Sequence, residues 1–172
     1  MKLIEALKQT KDLQRKASDI RDLIKRHCAI STLENPTYGD HVEQKRKVSE
    51  WLQSHRDLVK EILRLRVAIQ RTNLQTDVTI ELGGKQITKS IAEWIHRRRD
   101  LAAQDLAVWK VLGDRGIKEG HAPGPGGNLV EIKIVRYFDP ETRDKMVDEF
   151  SSEPSLIDGK MEIANAVTDL IE

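Results

Sequence analysis

The chain has 172 residues, which suffices for one ordinary domain. It contains 29 Lys and Arg residues against 28 Asp and Glu residues, and only 4% of its residues are aromatic. This composition excludes a disulfide scaffold, a collagen-like chain and a wholly disordered one. Because no apolar stretch approaches the roughly 20 residues of a bilayer span, the sequence predicts a cytoplasmic protein that does not contact a membrane.

The first part of the chain has the apolar periodicity of a long helical hairpin. Helices are predicted over residues 2–29 and 40–72, with Asp40 as the N-cap of the second helix and a turn-rich loop between them. The seam positions, at spacings of three and four, are Leu3, Ala6, Thr10, Leu13, Ala17, Ile20, Ile24 and His27, then Val48, Trp51, His55, Leu58, Ile62, Leu65, Ile69 and Thr72. Such an antiparallel, coiled-coil-like pair leaves apolar surface uncovered, which favours a homo-oligomer.

A short β-hairpin and a third helix are predicted next. Strands over residues 77–82 and 85–88 flank a Gly-Gly turn. Ser90 and Glu93 then have the spacing of a capping box, and the helix that they open is predicted to end at Gly113.

The rest of the chain predicts a glycine-rich loop over 113–128, a strand over 129–138, a helix from 139 to about 150 and a final helix that begins at Ser152-Glu153-Pro154. The fold class is therefore mainly α, with one or two short β-hairpins or strands. We predict a single helical domain over 1–172, made of a long hairpin (1–76), a short hairpin and third helix (77–112), a loop and strand (113–138) and C-terminal helices (139–172).

Charge is distributed unevenly along the chain. Residues 1–76 carry 16 basic and 10 acidic side chains, whereas residues 121–172 carry 5 and 11. One interpretation is that the acidic tail packs on the basic front, within a chain or between subunits; the alternative is two solvated surfaces without specific pairing.

Two charged residues lie on the predicted apolar face of the third helix. Arg98 and Asp105 are seven residues apart and would point inward beside Trp94. Because an isolated ion in a core is very unfavourable, they are predicted to pair with each other, or each with a charge from another helix. The pair could fix helix register, or it could line a polar pocket.

A second polar group lies at the end of the second helix, where Arg71, Thr72 and Asn73 are consecutive. They could cap the helix, or they could bind a small polar or anionic ligand, with Arg71 as a bidentate donor. The ligand-binding hypothesis therefore names Arg71, Thr72, Asn73, Arg98 and Asp105.

Other chemistry has little support in the sequence. No nucleophile, base and orienting group converge, so we expect no catalytic residues and no enzyme. The five histidines have no metal-ligand spacing and Cys28 is the lone cysteine, so we expect neither a metal nor a cofactor. His96-Arg97-Arg98-Arg99 fan out around a helix, and the near-zero net charge also argues against nucleic-acid binding.

Four segments resemble the small helical family called septicolysin: MKLIEALKQTKDLQRKASDIRDLI, AIQRTNLQT, GGKQITKSIAEWIHRRRDL and IDGKMEIANAVTDLI. The chain departs from the shorter family pattern by an insertion over 113–137 and is similar to phage-encoded versions. The resemblance implies a helical, oligomeric, cytoplasmic protein of unestablished function. It supplies no catalytic residue.

These observations predict a non-enzymatic, homo-oligomeric binding protein in the cytoplasm, which would be the host cytoplasm if a phage encodes it. Its ligand would be small and polar or nucleotide-like, as in a phage sponge that sequesters a signalling nucleotide. The alternative is a structural or assembly protein, such as a virion or scaffold component, that acts through its helix seams.

Overall fold

The computed structural model describes residues 1–171, and the chain divides into two compact units. The first unit comprises residues 1–76 together with the end of the chain from Ile163, and the second comprises residues 77–162. The prediction of one domain over the whole chain stays a prediction.

The first unit is the predicted helical hairpin. Helix α1 spans Leu3–His27 and helix α2 spans His41–Gln75, and they pack against each other along their length. Asp40 is the N-cap of α2, as predicted, because its carboxylate accepts hydrogen bonds from the backbone N–H groups of Val42 and Glu43. The buried seam residues are Leu3, Ala6, Thr10 and Ala17 in α1 and Leu65, Ile69 and Thr72 in α2.

Three aromatic rings close the loop end of the hairpin. His27 and Trp51, both predicted on the seam, lie with Tyr38 at ring-centroid distances of 5.3 to 5.7 Å. The buried Gln44 side chain donates to the His27 carbonyl and accepts from the Tyr38 N–H, so it satisfies backbone groups that α1 and the loop leave open.

The end of the chain lies against the start of α1. The backbone N–H of Leu3 donates to the Thr168 carbonyl, and Lys2 forms an ion pair of 2.9 Å with Asp169. These contacts confirm part of the predicted attraction between the acidic tail and the basic front, here within one chain.

The second unit begins with the predicted β-hairpin. Strands β1 (Asp77–Leu82) and β2 (Lys85–Ser90) are antiparallel, and Leu82 pairs with Lys85 across the Gly83-Gly84 turn. Both glycines have positive φ, as such a two-residue turn requires.

The third helix follows in three parts. Helix α3 (Ile91–His96) begins at the predicted Ser90 capping box, a π-helical segment spans Arg97–Leu101, and helix α4 covers Ala102–Lys110. The helix thus ends three residues before Gly113, where it was predicted to stop.

The predictions for 113–138 are partly wrong. The glycine-rich segment contains strand β3 (Gly120–Pro123), which pairs with β4 (Leu129–Ile132), so the predicted ten-residue strand is only four residues long. The chain leaves the strand after Ile132, and Arg136 then forms a bidentate ion pair with Asp114. That ion pair joins the residues that precede β3 to those that follow β4.

The prediction of two C-terminal helices is also wrong, because one helix, α5, spans Pro140–Val167 with Pro154 inside it. A proline inside a helix removes one backbone hydrogen bond and usually kinks or breaks the helix. The helix continues here because Glu153 and Ile157, on either side of the proline, are both buried and held by tertiary packing.

Candidate functional site

A π-helical turn determines which charges meet in the second unit. The Ala102 N–H donates to the Arg97 carbonyl, an i to i+5 bond that accommodates one extra residue in the turn. In a regular α-helix, Arg98, seven positions before Asp105, would lie on the same side of the helix as Asp105. The extra residue shifts the helix face, so that Arg97, eight positions before Asp105, lies there instead. Arg97 therefore takes the place predicted for Arg98.

Arg97 is the centre of a cluster of ion pairs. Its Nε and Nη2 donate to the two carboxylate oxygens of Glu153 at 2.7 Å each, and its Nη1 donates to Asp105 at 2.6 Å. The Glu153 side chain is only 5% exposed and that of Arg97 21%. The guanidinium also lies 5.7 Å from the centroid of the Phe150 ring, within cation–π range.

The electrostatic effect of this cluster falls on the guanidinium. The hydrogen bonds from Arg97 to Glu153, and then those to Asp105, raise the pKa of Arg97 above its usual value, against the opposing effect of burial. Arg97 is thus a fixed cation, and it holds Phe150 and Glu153 of α5 against the helix that carries it.

Arg98 and Asp105 therefore do not pair with each other, and only Arg98 follows the other predicted option, a charge from another helix. Arg98 instead donates to Asp158 at 2.5 Å, and both of these side chains are exposed. Asp105 pairs with Arg97, as described above. Neither Arg98 nor Asp105 points into a core, because the π turn rotates the helix at this position.

A cavity of about 410 Å³ opens beside the Arg97 cluster. It lies between the β-hairpin, α3 and the first half of α5, and its apolar lining includes Leu82, Ile87, Phe150 and Leu156. Four cations line it (Lys85, Lys89, Arg97 and Lys145), and two carboxylates do so as well (Glu149 and Glu153). The lining therefore carries an excess of positive charge.

Two of these cations lie outside the ion pairs of the cavity. Glu153 binds Arg97, and Glu149 lies 3.8 Å from Lys145. Within residues 1–171, Lys85 and Lys89 form no ion pair, although the charge of Lys89 adds to the hydrogen bonds from Ser90 in lowering the pKa of Glu93. They lie on the same face of β2, two positions on either side of Ile87, because side chains alternate along a strand.

The hairpin turn closes one end of the cavity. A Cβ atom at Gly83 would lie 2.7 Å from the Glu149 carboxylate, so a side chain there would push Glu149 or the turn aside. Gly83 also has a φ of 55°, which glycine adopts without strain. Leu82 and Lys85, the residues on either side of this turn, both line the cavity.

The structure gives the Arg71, Thr72 and Asn73 group different roles. The fully buried Thr72 hydroxyl donates to the Ala68 carbonyl at 2.8 Å and accepts from the Ile171 N–H at 2.9 Å, so it is already occupied. Arg71 is exposed and Asn73 is half-buried. A ligand-binding role for these two residues stays a prediction.

Replacing Thr72 by Val should lower the free energy of unfolding by about 1–3 kcal/mol, because the Ile171 N–H would lose its acceptor in a nearly isosteric change. Thr72→Ser keeps the hydroxyl and is the matched control. Chemical denaturation of both variants measures the difference. Equal stability of Thr72→Val and the wild type would show that this contact contributes nothing.

Among residues 1–171, no group of three or more His, Cys, Asp or Glu side chains is arranged to hold a metal ion. Likewise, no helix there combines the length and apolarity needed to cross a membrane.

The chain is similar to one protein family and to a solved structure. The model of a family described as "Family of unknown function (DUF6847)" matches residues 10–170. The chain matches none of the curated proteins. A crystal structure of "a functionally unknown conserved protein from Corynebacterium diphtheriae" has 23% sequence identity and a TM-score of 0.56, and the match covers 99% of this chain and 98% of that one. At that identity, the likeness concerns the fold alone.

Proposed function

The chain belongs to DUF6847, a family of unknown function, and from the geometry of its second unit we propose that it is a binding protein for a small organic anion. The observation that carries the proposal is the cavity beside Arg97, whose lining includes Lys85 and Lys89, two cations that form no ion pair within residues 1–171. The site is formed by the face of β2 that carries Lys85 and Lys89, by α3 and by the first half of α5.

The charges of the cavity support an anionic ligand. Arg97 is already bound by Glu153 and Asp105, so its contribution is to fix the cavity wall. Lys85 and Lys89 are left to meet a negative group, and each can donate three hydrogen bonds. An amine that donates to an anion in a partly enclosed site forms a stronger hydrogen bond than one between neutral groups.

The size and lining of the cavity indicate the body of the ligand. About 410 Å³ lies within the range of small-molecule sites. Ile87, Leu156 and the half-buried Phe150 ring offer apolar contact. A nucleotide-like molecule combines a planar apolar body with an anionic phosphate, so this lining supports the ligand class expected from the sequence.

The remaining parts of the proposal rest on the sequence. We propose that the protein acts without catalysis, as a homo-oligomer in the cytoplasm, and that it is related to the septicolysin family in a longer, phage-like version. The segments AIQRTNLQT and GGKQITKSIAEWIHRRRDL support that relationship. The alternative is a structural or assembly protein, supported by the exposed apolar residues of α2.

Replacing Lys85 and Lys89 by Ala together should weaken binding of AMP by roughly tenfold or more, since the loss of even one charge-assisted hydrogen bond costs about 1.5–3 kcal/mol. Isothermal titration calorimetry at low ionic strength measures this, with inorganic phosphate as a second probe. Raising the salt concentration should weaken binding in the wild type.

Lys110→Ala is the matched control, because Lys110 is exposed on α4 and does not line the cavity. It should bind AMP as the wild type does. Native mass spectrometry of protein purified from cells identifies any small molecule that it carries. Failure of AMP and phosphate to bind, together with an empty protein in those spectra, would contradict the proposal.

A further inference from the structure

Helix α2 has an apolar face that the first unit leaves uncovered. The exposed residues on this face are Leu52, Val59, Leu63, Val67 and Leu74, and their exposures range from 44% to 67%. At 100° per residue they fall on one side of the helix, opposite the side on which Leu65, Ala68 and Thr72 are buried. We call these five residues the α2 stripe.

The α2 stripe is symmetric about Leu63. Val59 and Val67 lie four residues before and after Leu63, and Leu52 and Leu74 lie eleven residues before and after it. If two copies of α2 pack antiparallel about a twofold axis at Leu63, Leu63 meets Leu63, valine meets valine and leucine meets leucine. Such self-complementarity is what a twofold interface requires.

The spacing of the stripe suits two nearly straight helices. The positions 52, 56, 59, 63, 67, 70 and 74 follow an eleven-residue repeat, which is close to the natural period of the α-helix. The stripe is about 33 Å long at 1.5 Å per residue, so two helices can stay in contact along it with little supercoiling.

The two polar positions within the repeat favour the antiparallel orientation. Arg56 and Gln70 are the polar members of the repeat, and an antiparallel pair puts Arg56 opposite Gln70 of the second copy, whose carbonyl can accept from a guanidinium. A parallel pair would instead place Arg56 against Arg56, which is repulsive.

We propose that the α2 stripe is the interface of a homodimer in which two α2 helices pack antiparallel about Leu63. This proposal rests on the homo-oligomer of the proposed function and states that it is a dimer. It involves only the first unit, whereas the anion cavity lies in the second, so either proposal can fail without the other.

Cysteine cross-linking tests the register. In a Cys28→Ser background, which removes the exposed native thiol, Leu63→Cys should form a disulfide-linked dimer on mild oxidation. Val59→Cys and Val67→Cys should each stay uncross-linked alone but should cross-link when mixed. Self-linking of Val59→Cys would contradict the antiparallel register, and no cross-linking of Leu63→Cys would overturn the interface.

Light scattering tests the dimer without cross-links. The wild type at about 100 µM should have twice the chain mass of 19.7 kDa, and Leu63→Glu should have the mass of one chain. Leu33→Glu is the matched control, because Leu33 is an exposed leucine outside the stripe. Circular dichroism verifies that each variant is folded. A monomeric wild type, or a dimer that survives Leu63→Glu, would overturn the proposal.

Discussion

Replacing Arg97 by Met is expected to lower the free energy of unfolding by about 3 kcal/mol, near the lower end of the effect of stranding one partner of a buried ion pair. The Glu153 carboxylate would be left buried without its two hydrogen bonds, and Asp105 would lose its partner as well. The lower end applies because the Arg97 side chain keeps some exposure to water. Urea denaturation followed by circular dichroism measures the change.

The neighbouring arginine provides the control. Arg98→Met removes an ion pair between two exposed side chains, so it should change stability by about 0–1 kcal/mol. The sequence-based expectation was the opposite, because Arg98 was predicted to be the inward-pointing residue. Equal effects of Arg97→Met and Arg98→Met would contradict the role of the π turn described here.

A double variant distinguishes the effect of leaving Glu153 without its partner from the effect of removing the whole ion pair. Arg97→Met with Glu153→Met replaces both ions by apolar side chains and should be more stable than Arg97→Met alone. A double variant no more stable than Arg97→Met alone would contradict this explanation.

The helical hairpin could be predicted from the sequence because its signals are local and repeated. The three-four spacing of apolar residues defines α1 and α2, and Asp40 and Ser90 have the residue types that cap helices. The Gly-Gly turn between β1 and β2 was predicted for a similar reason, since two residues with positive φ need glycine.

The errors arose where tertiary contacts override local preference. The sequence predicts that a final helix begins at Ser152-Glu153-Pro154, yet buried residues on both sides of Pro154 keep α5 continuous. The strand predicted over 129–138 ends at Ile132, which pairs with Gly120, the first residue of its partner strand β3. Neither outcome depends on a feature of the neighbouring sequence alone.

The candidate site was harder to predict than the fold. A π turn is a one-residue change in register that no residue pattern marks, so the choice between Arg97 and Arg98 could not be made from spacing. Lys85 and Lys89 do have a signal, because they flank Ile87 at strand spacing on a predicted hairpin. Their position beside α5 depends on the tertiary fold.

Besides Arg97, Trp94 is expected to contribute strongly to the stability of the second unit. Its side chain is fully buried, and its Nε1–H donates to the Val78 carbonyl at 2.8 Å, which joins α3 to strand β1. It also lines the cavity beside Arg97. Trp94→Ala should therefore lower the free energy of unfolding by about 3–5 kcal/mol, because the missing ring would leave an empty space in the core.

A second substitution distinguishes packing from hydrogen bonding at this position. Trp94→Phe keeps much of the ring volume but leaves the Val78 carbonyl without its donor, so it should be less destabilising than Trp94→Ala. Because Trp94 fixes β1 against α3, its truncation should also disturb the anion cavity and weaken AMP binding. Thermal melts and calorimetry of both variants test this. If Trp94→Ala were as stable as the wild type, the core of the second unit could not depend on this side chain.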